Sequence, residues 1–468
     1  MPAARRPARR GQDGACRGAD LPALYRRFRP ARGRGAVSSV LIHNARILTL
    51  AEGSIPRRGA EARNLSVIEN GYLLLGDTES VAVGEGPPPS GALSGDAACH
   101  VDEESADHTV IDARGRVVMP AFIDAHTHAC WAGDRLDEWD MKRRGASYLD
   151  ILSAGGGIMS TVRAVRETAC EPLARSLLER VHRMRREGSA ACEVKSGYGL
   201  DTDTELKMLR AIHAARQGGL EHIAATALLG HAVDSQRPDF IQYTLEETLP
   251  AVSREFPGVT IDAYCEEGAW SVEDCRRLFE TARSLGHPFR VHADQFNSLG
   301  MTPIAVEMGA RSVDHLEAST EADLKALAES DTYGVMLPAT GFHLDGRYAD
   351  GRLFMDMGGA LVIASNYNPG SAPCSSMPFV ISLAVRELGL TIEEAITACT
   401  CNPASLLGVA DELGRIRRGA PASVVMLRHT DERGLAYEFG GDPVDLVIRQ
   451  GQIVKWIGDD ADRTIIRP

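Results

Sequence analysis

Three things are missing from this 468-residue chain, and each removes a class of protein. Its ten cysteines never fall into Cys-x-x-Cys spacing, so neither a structural zinc knuckle nor a disulfide framework is indicated, and they read as reduced thiols of an intracellular protein. No stretch approaches the ~18 consecutive apolar residues of a membrane-spanning helix. A basic excess is lacking too: the formal net charge is −13, where a nucleic-acid protein presents a basic face. The expectation is a cytoplasmic protein with a small molecule as its partner, and neither nucleic acid nor membrane. An anionic ligand would need local cations to enter so acidic a molecule. The one basic stretch is residues 1–36, where Arg5, Arg6, Arg9, Arg10, Arg26, Arg27 and Arg29 face only Asp13 and Asp20. It lacks a clear serine-rich amphipathic helix, so mitochondrial targeting, a disordered tail and an unused upstream start stay open as alternatives.

What is present is a pattern of strands. Residues 40–49 alternate apolar and polar positions, and short apolar runs follow at 65–68, 72–75 and 81–83. Residues 84–107 are rich in Gly, Pro, Ser and acids and mark a surface loop, with His100 and His108 in or beside it as solvated side chains. Strands return at the far end, at 422–427, 445–448 and 452–456. Two β-rich flanks around a long centre suggest one small β-sandwich built from both chain ends. Between them strand and helix alternate, which is the pattern of a parallel α/β fold. Strands are expected near 190–195, 222–229, 260–265, 289–293, 312–315, 334–337 and 361–364. With the run that opens the block, they make the eight of a (β/α)8, TIM-like barrel. Ser271 to Asp274 and Thr391 to Glu394 space a hydroxyl and a carboxylate as a capping box does. The expected units are an N-terminal extension (1–36), a first sandwich segment (37–118), the barrel (119–413) and a second sandwich segment (414–468).

The opening run carries the chemistry. Val117, Val118, Phe122 and Ile123 lead into Asp124, His126 and His128. Side chains two apart on a strand share a face, so the two imidazoles project together as half of a metal site. A pair of ordinary histidines on a strand edge is the bland alternative.

The sequence Pro120-Ala-Phe-Ile-Asp-Ala-His-Thr-His128 resembles the first barrel strand of the metal-dependent amidohydrolases. Trp131-Ala-Gly-Asp-Arg135, Gly145-Ala-Ser-Tyr148, Ala154-Gly-Gly-Gly-Ile158 and Lys195-Ser-Gly-Tyr-Gly-Leu200 narrow the resemblance to the imidazolonepropionase family. Gly230-His-Ala-Val233, His292-Ala-Asp-Gln295, Asp314-His-Leu-Glu317 and Asn368-Pro-Gly-Ser371 extend it, in order, from about Val40 to about Lys455. The resemblance implies hydrolysis of 4-imidazolone-5-propanoate to N-formimino-L-glutamate in histidine degradation. It also implies one divalent ion per chain, zinc or iron, and a homodimer.

Carried over position by position, the resemblance puts metal ligands at His126, His128, His292 and Asn366. The last is a departure, because the family has an aspartate there. An asparagine offers a neutral carbonyl oxygen and is no useful base, although three histidines alone satisfy an open catalytic zinc site. His315 would stabilise the reacting oxygen; the alternative is a core histidine satisfied by Asp314. Gln295 can bind an imidazolone ring through its amide but cannot take a proton. His231 would contact the ring. Arg135 suits a propionate held bidentately, or else pairs with Asp134, Asp137 or Glu138. Tyr148, Tyr198 and Ser371 add donors, while Asn368 and Gly370 would meet the product. Another cyclic amidohydrolase or deaminase, and a weakly active or purely ligand-binding homologue, are the rival readings.

Overall fold

The apolar run that opens the central block is divided between two sheets. In the computed structural model, which describes residues 37–76, 80–90, 107–146, 150, 154–217, 222–421, 423–449, 451–458 and 462–466, it forms two strands that meet at Ala121. Both strands are buried along their whole length, so neither needs a wet face. Alternation does the dividing: Val117 and Met119 join the barrel's apolar core, while Val118 points into the core of the other sheet. A single expected strand thus becomes the hinge between two layers.

In chain order the strands are β1 (Val37–Leu48), β2 (Val67–Gly76), β3 (Ser80–Glu85), β4 (Asp107–Asp112), β5 (Val117–Pro120) and β6 (Phe122–Asp124). There follow β7 (Ser189–Lys195), β8 (Ile223–Gly230), β9 (Thr260–Cys265), β10 (Val291–Ala293), β11 (Ser312–His315), β12 (Tyr333–Met336) and β13 (Leu361–Ile363). The last four are β14 (Ser423–Leu427), β15 (Val444–Arg449), β16 (Gln452–Trp456) and β17 (Arg463–Ile466). Nine strands from the two chain ends make one sheet, β16-β15-β14-β5-β1-β2-β3, with β4 between β1 and β17. On one edge, β1 runs parallel first to β4 and then, at Arg46 and Ile47, to β5. Val40, Ile42, Leu73 and Ile111 pack with Val424, Met426, Leu446 and Ile448 in one cluster. The two arms of this continuous sheet therefore face each other as the layers of a sandwich.

The remaining eight strands, β6 to β13, lie side by side in sequence order, all parallel, as a (β/α)8 barrel requires. Helices cover them, and some start where the sequence says. At Ile392–Ala398 the box is complete: Thr391 Oγ1 accepts from Glu394 N–H at 3.3 Å, and the Glu394 carboxylate accepts from Thr391 N–H at 2.8 Å. At Ser271 the box is only half filled, because the hydroxyl accepts from Asp274 N–H and itself donates to the Asp274 carboxylate at 2.6 Å. Thr391→Ala should lower the unfolding free energy by about 1 kcal/mol, the usual worth of such a cap, read as a lower urea midpoint at unchanged slope.

Residues 1–36, His100 and most of the expected surface loop lie outside the described residues. Among the described residues seven cysteines are free thiols, but Cys170 is disulfide-bonded, which departs from the expectation of reduced thiols throughout. Among the described residues, no helix is long and apolar enough to cross a membrane.

Candidate active site

The barrel's first and last strands meet only at their C-terminal ends, and the site is built on that seam. Past β6 and β13, Thr127 bridges to Tyr367, His126 C=O accepts from Asn366 N–H at 3.0 Å, and His128 N–H donates to Tyr367 C=O at 3.0 Å. His126 and His128 thus stand just beyond the end of β6, held on one side by the last strand's extension. His292 lies within β10 and closes the triangle. Its ring centroid is 4.6 Å from that of His126 and 5.4 Å from that of His128. One nitrogen of each ring lies within 4.8 Å of the others, and Nε2 of His128 is 3.3 Å from Nε2 of His292.

The tautomers of two rings are fixed from behind. Asp314 accepts from His126 Nδ1–H at 2.6 Å and Asp262 from His292 Nδ1–H at 3.1 Å, so both Nε2 atoms carry lone pairs. Burial pushes all three imidazoles well below the ordinary histidine pKa and keeps them neutral. Asn366 stands at the same seam: its Nδ2 donates to Thr340 Oγ1 at 2.9 Å, while its Oδ1 and His126 Nε2 are buried with no hydrogen-bond partner. Such buried acceptors cost about 1–3 kcal/mol each when nothing satisfies them. A set of converging lone pairs without donors fits a divalent cation.

Around the seam the backbone is strained where the side chains are aimed. Asp294, His315, Leu316 and Asn366 have φ of 58°, 92°, 74° and 53° at the ends of β10, β11 and β13. Residues held in the left-handed region cluster at functional sites. His315 does not pair with Asp314, as its core-histidine reading would have it. Asp314 is engaged by His126 and Arg290, and the partner of His315 Nδ1–H is Glu317, at 3.1 and 3.2 Å from the two carboxylate oxygens. The His315 ring lies 5.5 Å from that of His292.

The other expected residues gather on the open side. His231 stacks on His128 at 5.0 Å and gives its Nδ1–H to Gly197 C=O at 3.0 Å. Burial lowers its pKa to about 4. The Tyr198 ring lies 5.0 Å from His231, on a loop that must be glycine at 197: φ is +107° and a Cβ would sit 3.0 Å from His231 Nδ1. Arg135 pairs with Glu138, one of the three alternatives the sequence left open, and reaches Thr161 Oγ1 at 3.4 Å. It also lies against the last loop, for a Cβ on Gly370 would be 3.2 Å from its Nη1. Gln295 is buried just past β10. The Asn368 side chain is turned inward, bonded to Gly370 N, Ser371 N, Ser371 Oγ and Asn366 O at 2.6–2.8 Å. It shapes the loop that presents Gly370 and Ser371. Tyr148 lies outside the described residues.

Some supporting residues were not singled out from the sequence. Glu205 accepts from Gly197, Gly199 and Leu200 N–H at 2.6–3.1 Å and so moulds the loop that carries Tyr198. Its burial outweighs these donors and raises its pKa. Its signal in the sequence is only an acid in the first turn of Thr202–Gln217, which any helix tolerates. Asp262, inside β9, and Thr340, inside the helix Pro338–His343, belonged to no motif, and Asp314 was marked only as a neighbour of His315.

A parallel barrel with imidazoles converging on its C-terminal rim defines a metal-dependent hydrolase, and the chain matches the Amidohydrolase family over residues 117–454. The imidazolonepropionase of Herpetosiphon aurantiacus is 38% identical over 420 residues, covering 87% of this chain and 95% of that one. That of Deinococcus radiodurans is 40% identical over 397 residues, or 85% and 95% of the two chains. This chain belongs to the imidazolonepropionase family. Among solved structures, 5-methylcytosine deaminase from Klebsiella pneumoniae liganded with 5-fluorocytosine is similar with a TM-score of 0.67, over 90% of this chain and 98% of that one. At 16% identity that likeness shows the fold alone.

Proposed function

We propose that this protein hydrolyses the ring amide of 4-imidazolone-5-propanoate to give N-formimino-L-glutamate. The observation that carries the reading is the convergence of His126, His128 and His292, with the partnerless Asn366 oxygen on the adjoining strand end and Arg135 against the Gly370–Ser371 loop. One divalent ion per chain, zinc or iron, would be held by those four residues; when bound it would polarise the ring carbonyl and lower the pKa of water beside it. The chain's own residues do the rest. Arg135 and Ser371 hold the propionate, with a charge-assisted pair fixing its orientation. Tyr198, Gln295 and His231 set the ring against the histidines, His231 through the Nε2 that its bond to Gly197 leaves free. Glu317 holds His315 with Nε2 facing inward, so His315 is the acid–base group at the reacting oxygen. It takes a proton as the attack occurs and, once charged, stabilises the oxyanion. His315 then passes that proton to the leaving ring nitrogen, the tetrahedral carbon re-forms its carbonyl and the C–N bond breaks. A homodimer in the cytoplasm belongs to the same reading.

Assay of the purified chain with imidazolonepropanoate tests it. Formiminoglutamate should accumulate with substrate loss; bound metal and bound substrate analogue without turnover would favour a binding protein. Arg135→Met should raise KM at least tenfold and leave kcat within a few-fold, because it removes uniform binding and not the histidine cluster. An unchanged KM would mean that the carboxylate is held elsewhere.

A further inference from the structure

Behind the three imidazoles the barrel interior holds charges that no solvent relieves. Glu193, Lys195, Asp262, Arg290 and Asp314 are each at most 2% exposed. Lys195 Nζ lies 2.7 Å from Glu193 Oε1, 2.8 Å from Asp262 Oδ2 and 3.9 Å from Asp314 Oδ2. Arg290 bonds Asp314 and the carbonyl of Ala125, and stands 3.4 Å from Glu193 Oε1. Asp262 and Asp314 are the same carboxylates that fix the His292 and His126 tautomers. Together with His292 they form a second group of metal-ligating type, with ligand atoms within 4.8 Å of one another. What sits among its carboxylates is an ammonium.

We propose that Lys195 is a positioning residue occupying the cation place of a second, latent metal site made by Glu193, Asp262 and Asp314. Resting on the one-ion centre proposed above, this assigns Lys195 two effects: it limits the centre to one ion, and it holds Asp262, the carboxylate that aims His292. An ammonium suits the first task, being a compact point charge with donors for several oxygens at once. Three carboxylates against Lys195 and Arg290 leave one net negative charge. Without the lysine there are two, which is the charge of one divalent cation, in a buried pocket that cannot leave them uncompensated. The second task follows from the hydrogen bonds: Asp262 gives Oδ1 to His292 Nδ1–H while Lys195 holds its Oδ2, and the Asp314 oxygen that faces His126 also faces Lys195 and Arg290, its other oxygen being held by the Ser312 hydroxyl.

The test is a titration of metal-stripped, full-length protein with Co2+, counting ions per chain by elemental analysis and following the visible cobalt bands. Wild type should bind one ion. Lys195→Ala should bind two, with cobalt bands for the second, and its Tm should rise further with Co2+ than that of the wild type. If Lys195→Ala folds only when Co2+ is supplied, that requirement, absent from the wild type, is the same result. The double variant Lys195→Met/Asp262→Asn keeps volume and net charge, so it should fold, bind one ion, and bind it about 10–100-fold more weakly because His292 has lost its anionic partner. Lys195→Ala with one ion at wild-type affinity and spectrum overturns the latent site. The double variant at wild-type affinity overturns the positioning role, and decides the matter if Lys195→Ala cannot be folded at all. A wild type that binds no ion refutes instead the centre on which both depend.

Discussion

Asn366→Asp should raise kcat by about 10²-fold or more. A positioned acid–base group contributes ~10²–10⁴-fold, and the wild-type centre has one where a carboxylate at 366 would make two. In the proposed mechanism His315 must both take the proton of the attacking water and then donate to the oxyanion, and a single imidazole does these in sequence. An aspartate separates the duties. The site is already shaped for it: Thr340 Oγ1 now accepts from the Asn366 amide, and its hydroxyl can turn to donate to a carboxylate in the same place. Metal affinity should rise too, since an anionic oxygen replaces a neutral one. KM should move less, because Arg135, Tyr198 and Ser371 are untouched. Kinetics and metal content of the two proteins, measured side by side, decide it. A change in kcat of only a few-fold would mean that the His315–Glu317 pair already carries the proton.

His292→Ala should remove most of the bound ion and with it turnover, and His128→Ala should do the same. Loss of a residue behind a ligand commonly costs 10–100-fold in metal affinity, so loss of the ligand itself should cost more than about 100-fold. The His292 variant also strands Asp262, whose Oδ1 accepts from Nδ1–H of that ring. Some loss of stability should therefore accompany it, as for any buried carboxylate deprived of a donor. Elemental analysis after dialysis, together with the assay, separates the outcomes. Unchanged metal content in both variants would remove the centre as drawn.

Much of this was legible in the chain because the barrel repeats a local rule. Short apolar strands separated by amphipathic helices leave few topologies, and the expected positions of β7, β8, β9, β11, β12 and β13 fall within a residue or two of the observed ends. The candidate site was legible for the same reason: His126, His128, His292 and His315 lie in or just past the C-terminal parts of their strands, where a barrel gathers its chemistry. The division of the opening run at Ala121 was not. An all-buried stretch carries no alternation of polar and apolar residues, so periodicity cannot say that Val118 faces one core and Val117 another. Partnerships were hidden too. The sequence puts Asp314 next to His315 and Glu317 two residues on, and only the left-handed turn at His315 and Leu316 makes the farther one its partner. For Glu205 and Thr340, distances across the fold do the selecting, and no spacing along the chain encodes those.

The seam between the first and last barrel strands has a further consequence, for the order in which the molecule becomes whole. Asp124 and Ser365 clasp each other there across 241 residues of chain, and the histidine pair stands beside that clasp. Docking the final strand and finishing the binding centre are hence a single event. A polypeptide still short of β13 has nothing to steady His126 and His128 from that flank. Once an ion spans the junction, it staples together the ends of a very long loop, and whatever binds only the closed ring stabilises closure by mass action. In the proposed centre, ion release and the parting of the two strands would then be the same motion seen from its two ends.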